Sequence, residues 1–457
     1  MKKIFYILIS MFPVVACAQL DNMWKNVGNA GFSKGDAANI SLVFSPSGEP
    51  YVAYKDGGNS HKATVMKFDE TNWDNIGIGG FSEGQADYTS LAFSPSGQPF
   101  VAYQDCGNSN NKATVMKFDG TNWVNVGNAS FSAGWADYTS LAFNPSGQPC
   151  VAYMDGGNFH KATVMKFDGT NWVNIGNAGF SADMANYTSL AFSPSGQPYV
   201  GYRDRGNSQK ATVMKFDGTN WVNVGNAGFS AGWADYTSLA FSPSGQPYVA
   251  YQDGGNSYKA TVMKFDGTNW VNVGNAGFSA GWADYTSLAF SPSGQLYVGY
   301  MDYANSQKAT VMKFDGTNWV DIGNAGFSAG KAYFTSLAYG PSGQPYVAYL
   351  DNANSDKATV MKYDSEKYDS TFVGVSEPQH SQISIYPNPA MDKVTIETSD
   401  ESEESNLVIL NIEGQKLITR KITERKTLID ISNLPSGVHF LWLTNDKSVE
   451  VGKLIKL

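Results

Sequence analysis

Seven tryptophans, Trp24, Trp73, Trp123, Trp172, Trp221, Trp270 and Trp319, follow one another at intervals of 49, 50, 49, 49, 49 and 49 residues. A period held that closely means one supersecondary unit stacked seven times, since a single unit of this size cannot bury its own apolar faces. Each copy contains, in order, a run such as "TSLAFS", a turn "PSGQP", a run "YVAYQD", a loop "GGNSY", a run "KATVMKFD", a turn "GTN" and a run "WVNVG". The runs are short, rich in aromatic and β-branched residues, and bounded by Gly, Pro, Asn and Asp. That pattern predicts strands, not helices. Pro at the second turn position of "SPSG", and Asp-Gly in "FDGTN", supply hairpin chemistry.

Apolar side chains occur at both parities within the runs, so both faces of each four-stranded sheet must be covered. Sheets stacked side by side do this, and the fold class predicted is all-β, with a seven-bladed β-propeller over residues 19–364. The chain enters with a Trp-type strand at 24–28, and the last copy stops after "KATVMKYD" at 357–364 without one. The N-terminal strand is therefore expected to complete the last blade, leaving no open edge.

In such a blade the turns between strands 1 and 2 and between strands 3 and 4 lie on one face of the disk. The 2–3 loop and the link to the next blade lie on the other. The first pair is nearly constant among the copies and the second varies. At one link position the copies carry Asp36, Gln85, Trp135, Met184, Trp233, Trp282 and Lys331; just before strand 3 they carry His61, Asn111, His160, Gln209, Tyr258, Gln307 and Asp356. Trp135, Trp233 and Trp282 stand in Gly-rich loops, either packed between blades or exposed as flat platforms for a ligand. Tyr138, Tyr236 and Tyr285 follow nearby and complete the set of candidate binding residues. A further ring, Asp56 to Asp351, ends every second strand, and a lysine, Lys62 to Lys357, opens every third. Asx turns with exposed Asp–Lys pairing are expected there, each pair worth at most about 1 kcal/mol.

Enzyme signatures are missing. The four histidines, at 61, 160, 380 and 439, show no metal-ligand spacing, and no nucleophile elbow or phosphate-cradling loop occurs, so neither metal nor cofactor is expected. A net charge of −9 argues against nucleic acid as partner. Met1-Lys2-Lys3, an apolar run at 4–16 and Ala16-Cys17-Ala18 read as a signal peptide, 1–18, too short to span a membrane. Cleavage after Ala18 is the favoured reading, and lipidation of Cys17 the alternative. Cys106 and Cys150 fall near opposite ends of neighbouring units and are expected to be free thiols.

After a polar linker at 365–382 the composition changes. Alternating short strands over 383–457 predict a small Ig-like β-sandwich. Tyr386-Pro387-Asn388-Pro389, Gly414-Gln415 after "ILN", Asp430-Ile431 leading to Leu434, Pro435-Ser436-Gly437-Val438, and the terminal Lys453-Leu454-Ile455-Lys456 closely resemble the C-terminal type A sorting domain of the type IX secretion system of the Bacteroidota. His439 departs from the family's usual Tyr. The resemblance implies export across both membranes, with the secretion machinery as partner, followed by release or attachment at the cell surface. The repeats resemble repeat-rich propellers of unknown role in the same bacteria, a likeness that implies fold and no activity. Together these features point to a monomeric secreted or surface-displayed module, without a membrane span, that binds extracellular glycan or protein. A polysaccharide-active enzyme with its site in the central cavity, and a purely structural surface protein, are the alternatives.

Overall fold

The computed structural model describes residues 24–107, 111–364 and 384–456, except 387, 389, 399–404, 412–415, 436 and 445–448. The signal-peptide reading and Cys17 lie outside the described residues. The chain divides into two compact units, Met1–Tyr368 and Asp369–Leu457.

The first unit contains seven antiparallel four-stranded sheets, blades 1 to 7 in chain order, whose innermost strands begin at Ala37, Ala86, Ala136, Ala185, Ala234, Ala283 and Ala332; in the first six the strands are ordered 1-2-3-4 by sequence. Blade 5 is representative: Ala234–Phe241, Pro247–Asp253, Lys259–Phe265 and Trp270–Asn272. Blade 7 joins Ala332–Tyr339, Pro345–Asp351 and Lys357–Tyr363 to the N-terminal strand Trp24–Asn26, which pairs through Trp24 opposite Tyr363 and Asn26 opposite Met361. The ring is thus closed without a covalent link at the seam.

The repeating tryptophan explains the period. In blade 5 the Trp270 indole N–H donates to Val224 O of the preceding link at 2.7 Å, and its ring stacks on Phe229 at 4.3 Å. The seam repeats this arrangement: Trp24 donates to Ile322 O at 2.8 Å and stacks on Phe327 at 4.0 Å. Each indole therefore binds its strand to the link arriving from the previous blade, and each core cluster draws on two neighbouring blades. Between strands 2 and 3, Tyr251 is buried with its hydroxyl on Met263 Sδ at 3.1 Å, an arrangement present in every blade.

The aspartates ending the second strands require a correction. They are buried, and none forms an ion pair with the lysine opening strand 3. Asp253 accepts from Gly255 N at 3.0 Å, Asn256 Nδ2 at 2.8 Å and Thr261 Oγ1 at 3.0 Å. The Asx turn is present, but the carboxylate folds inward under a one-turn 3-10 segment, Gly254–Asn256, where three neutral donors replace the lysine. Asp253→Ala would orphan buried donors and should cost about 2–3 kcal/mol, whereas Lys259→Ala should cost under about 0.5 kcal/mol. Urea unfolding of the two variants side by side checks the contrast.

Cys106 and Cys150 are free thiols, as expected. Burial pushes them up, Cys106 to about 11 and Cys150 to about 12, so neither is a ready nucleophile.

The second unit pairs a three-stranded sheet (Ser384–Tyr386, Lys393–Glu397, Lys426–Asp430) with a four-stranded one (Lys416–Ile422, Ser405–Leu410, Gly437–Thr444, Val449–Lys456). Val394, Ile396 and Ile429 from the first share one core with Leu407, Ile409, Leu441 and Leu454 from the second. This is a β-sandwich.

Candidate functional site

The variable face is built by backbone lying directly on backbone. In blade 5 a Cβ on Gly232 of the link would meet Gly255 N of the 2–3 loop at 2.1 Å, and one on Gly255 would meet Gly232 N at 2.6 Å, so the two backbones are in direct contact with no space for a side chain between them. Ser230 Oγ donates to Gly232 O at 2.6 Å, and Gly254 N donates to Trp233 O at 2.8 Å, which fixes the tryptophan's main chain beside the loop. This accounts for the Gly and Ala richness of the "NAGFSAGW" segments: they are rigid spacers, with Phe229 turned inward onto Trp270.

The tryptophan side chains face outward from this rigid base. Trp135 is 54% exposed, Trp233 52% and Trp282 49%, against 8% for the repeating tryptophan Trp270. His160 lies beside Trp135, at 6.4 Å between ring centroids, and the residue before it, Phe159, is 85% exposed. Trp282 has two aromatic neighbours, Tyr258 at 5.2 Å and Tyr303 at 5.5 Å. Tyr303 was not singled out in sequence; the available signal was that it stands where other blades have Gly, Cys, Arg or Asn.

Tyr138, Tyr236 and Tyr285 are placed elsewhere. Each is the third residue of an innermost strand, at φ 54°, within a register shift of the strand pairing. With Tyr88, Tyr187 and Phe334 they form a ring around the axis, neighbouring centroids 4.7–4.9 Å apart. They line a 230 Å³ axial cavity, a lining that includes none of the three tryptophans. The left-handed backbone lets the next blade's threonine reach in: Thr286 Oγ1 donates to Tyr236 O at 2.6 Å. Aromatic residues are costly at positive φ, where Asn39 alone makes the cheap choice.

Between axis and rim runs a set of matched contacts. Lys55 donates to Asp87 at 2.7 Å, and Gln104, Arg203 and Gln252 donate to Asp137, Asp235 and Asp284, each aspartate belonging to the following blade. Where strand 2 carries Met154, Met301 or Leu350 instead, the following blade carries Asn186, Tyr333 or Ala38. Burial raises the carboxyls of Asp137 and Asp284, which have only neutral amide or phenol donors in hydrogen-bond contact. The matching is testable by a double-mutant cycle. Arg203→Met alone leaves the mostly buried Asp235 without its partner and should cost about 1–3 kcal/mol. Adding Asp235→Asn, the pairing found at Met154 and Asn186, should recover most of it in urea melts.

In the sandwich, the sorting motifs from opposite ends of the domain meet. Asn388 Oδ1 accepts from Ile455 N at 2.8 Å, and Ala390 N donates to Ile455 O at 2.9 Å. Leu454 is buried in the core, Tyr386 donates to Glu397 at 2.8 Å, Gly437 sits at φ 139°, and Lys456 lies opposite Gly437 in the sheet. His439 is buried, its Nε2 2.9 Å from Pro435 O. Pro387, Pro389 and the side chain of Lys453 lie outside the described residues.

Residues 384–457 match the secretion system C-terminal sorting domain family, and residues 179–374 match the Tachylectin family. No curated protein sequence is significantly similar to the chain. Among solved structures, a polysaccharide lyase, an ulvan lyase, superposes with a TM-score of 0.52 at 13% identity, covering 73% of this chain and 94% of that one. The same enzyme bound to an oligosaccharide gives 0.51 at 12%, with the same coverage. PorZ, a surface component of the type IX secretion system of Porphyromonas gingivalis, gives 0.46 at 13%, covering 91% of this chain and 59% of its own. The likeness to the lyase shows the propeller fold. The sorting domain places the protein on the type IX route, addressed to the extracellular or outer-membrane surface. Among the described residues no helix is long and apolar enough to cross a membrane.

Proposed function

We propose that this exported propeller is a non-catalytic binding or adhesion module, holding an extracellular glycan or protein against the aromatic loops of its variable face. The observation that carries the reading is that Trp135, Trp233 and Trp282 are each about half exposed on loops whose backbones are locked by glycine contacts and buried aspartate caps. Flat apolar rings held in advance match the faces of sugar rings, and they bind with little ordering cost. The match of 179–374 to a family named for a lectin supports a saccharide ligand, and the matched segment contains Trp233 and Trp282. A glycan array probed with the purified protein, with tryptophan fluorescence recorded on each hit, tests it. A blank array together with no fluorescence change on any saccharide would refute the glycan reading.

One observation favours a second reading. Asp137 and Asp284, both raised by burial, belong to the innermost strands that surround the axial cavity, and a glycosidase needs one such carboxyl beside an ionised partner. Digestion of polysaccharides by the wild type but not by Asp137→Asn or Asp284→Asn would establish it; intact polysaccharide after incubation would exclude it.

A further inference from the structure

Trp282 differs from the other two exposed tryptophans in what surrounds it. Tyr258 and Tyr303 come from the 2–3 loops of two adjacent blades, and both are departures from the repeat: the six other copies at the position of Tyr303 are Gly57, Cys106, Gly156, Arg205, Gly254 and Asn352, and the six at the position of Tyr258 include no second tyrosine. Their rings are inclined to the indole by 54° and 49°. Three rings without a common plane cannot all support one flat sugar ring, whereas a roughly spherical group can touch several inclined faces at once.

The electrostatics of the cluster favour positive charge. The Tyr303 hydroxyl donates to Asp284 Oδ2 at 3.2 Å, and Gln252 donates to the other oxygen. Asp87 and Asp235, at the same position of their blades, are instead paired with Lys55 and Arg203. Asp284 is therefore a partly buried carboxylate held by neutral donors alone, next to aromatic faces that are themselves electron-rich. A bulky substituted ammonium is attracted by both, and being weakly hydrated it gives up little on leaving water.

We propose that Tyr258, Trp282, Tyr303 and Asp284 form a site for a substituted ammonium group of the trimethylammonium kind. This site goes beyond the glycan-platform reading, because it rests on the two blade-specific tyrosines and the carboxylate, not on the three tryptophans in common. The head group could be carried by a soluble or glycan-linked phosphocholine or by a choline lipid, and the chemistry recognised is the same.

The test is titration of the full chain with choline chloride, followed by tryptophan fluorescence and calorimetry. The control is 3,3-dimethylbutanol, which has the same shape without the charge. Choline should bind at least about tenfold more tightly than the neutral analogue. Tyr303→Gly, which installs the residue that blades 1, 3 and 5 carry, and Asp284→Asn should each weaken choline by about tenfold. Trp233→Ala should leave it unchanged. Equal binding of the neutral analogue, indifference to Tyr303→Gly, or no choline binding by the wild type would overturn the proposal. Glycan hits on the wild type without choline binding would sink this site and leave the platform reading standing; because Tyr303→Gly keeps all three tryptophans, glycan hits should persist in that variant while choline binding falls. Phosphocholine and phosphatidylcholine vesicles, compared as competitors, separate a soluble head group from a membrane.

Discussion

Trp24→Ala is expected to lower the stability of the propeller by about 3–5 kcal/mol and to open the ring at its seam. The indole is buried, donates to Ile322 O and stacks on Phe327, so truncation removes a large packed ring and orphans a carbonyl. The same loss at Trp221, where Trp221 donates to Ile175 O and stacks on Phe180 at 4.2 Å, removes equivalent contacts. There, however, strand 4 remains tethered through its hairpin. At the seam the strand Trp24–Asn26 pairs with strand 3 through three residue pairs and has no hairpin joining it to that strand. Urea unfolding should therefore show similar losses for the two variants, while limited proteolysis should cut the N-terminal segment first only in Trp24→Ala. Equal resistance of that segment in both would mean the seam is not the weak point.

Replacing Trp135, Trp233 and Trp282 together by alanine should reduce binding of any ligand found on the variable face by at least about 100-fold, since exposed aromatic anchors commonly carry 2 kcal/mol or more at an interface. The fold should not notice. The side chains are about half exposed and their backbones are fixed by glycine and aspartate contacts that the substitutions do not touch, so stability should move by under about 0.5 kcal/mol per site. Calorimetry and circular dichroism on the triple variant check both halves. Unchanged affinity in a folded triple variant would remove the tryptophans from the binding site, whether the ligand is a saccharide or a protein.

The ring, its seam and its strand order were legible in the sequence because turn chemistry and a fixed period are local signals. The burial of Asp56 to Asp351 was not, because it depends on a threonine eight or nine residues further on returning beneath the loop, as Thr261 does to Asp253. The axial placement of Tyr138, Tyr236 and Tyr285 was hidden for another reason. Alternation assigns sides only while φ stays in the β region, and each of these residues has φ near 54°. The convergence of Tyr258 and Tyr303 on Trp282 joins residues from two blades. A column-by-column comparison of repeats shows the departures but not that they meet.

The matched contacts between blades bear on how such a ring changes size. Blade 5 receives Arg203 on Asp235 and offers Gln252 to Asp284; blade 2 receives Lys55 on Asp87 and offers Gln104 to Asp137. Either blade, copied next to itself, would present a donor to an aspartate at the new boundary, and its deletion would bring together a donor and an aspartate again. Blade 4, copied, would set Arg203 against Asn186, and loss of blade 6 would set Gln252 against Tyr333. Copying or losing blade 2 or blade 5 therefore keeps these inter-blade pairings intact, and the near-identity of blades 5 and 6 is the trace that one such copying would leave.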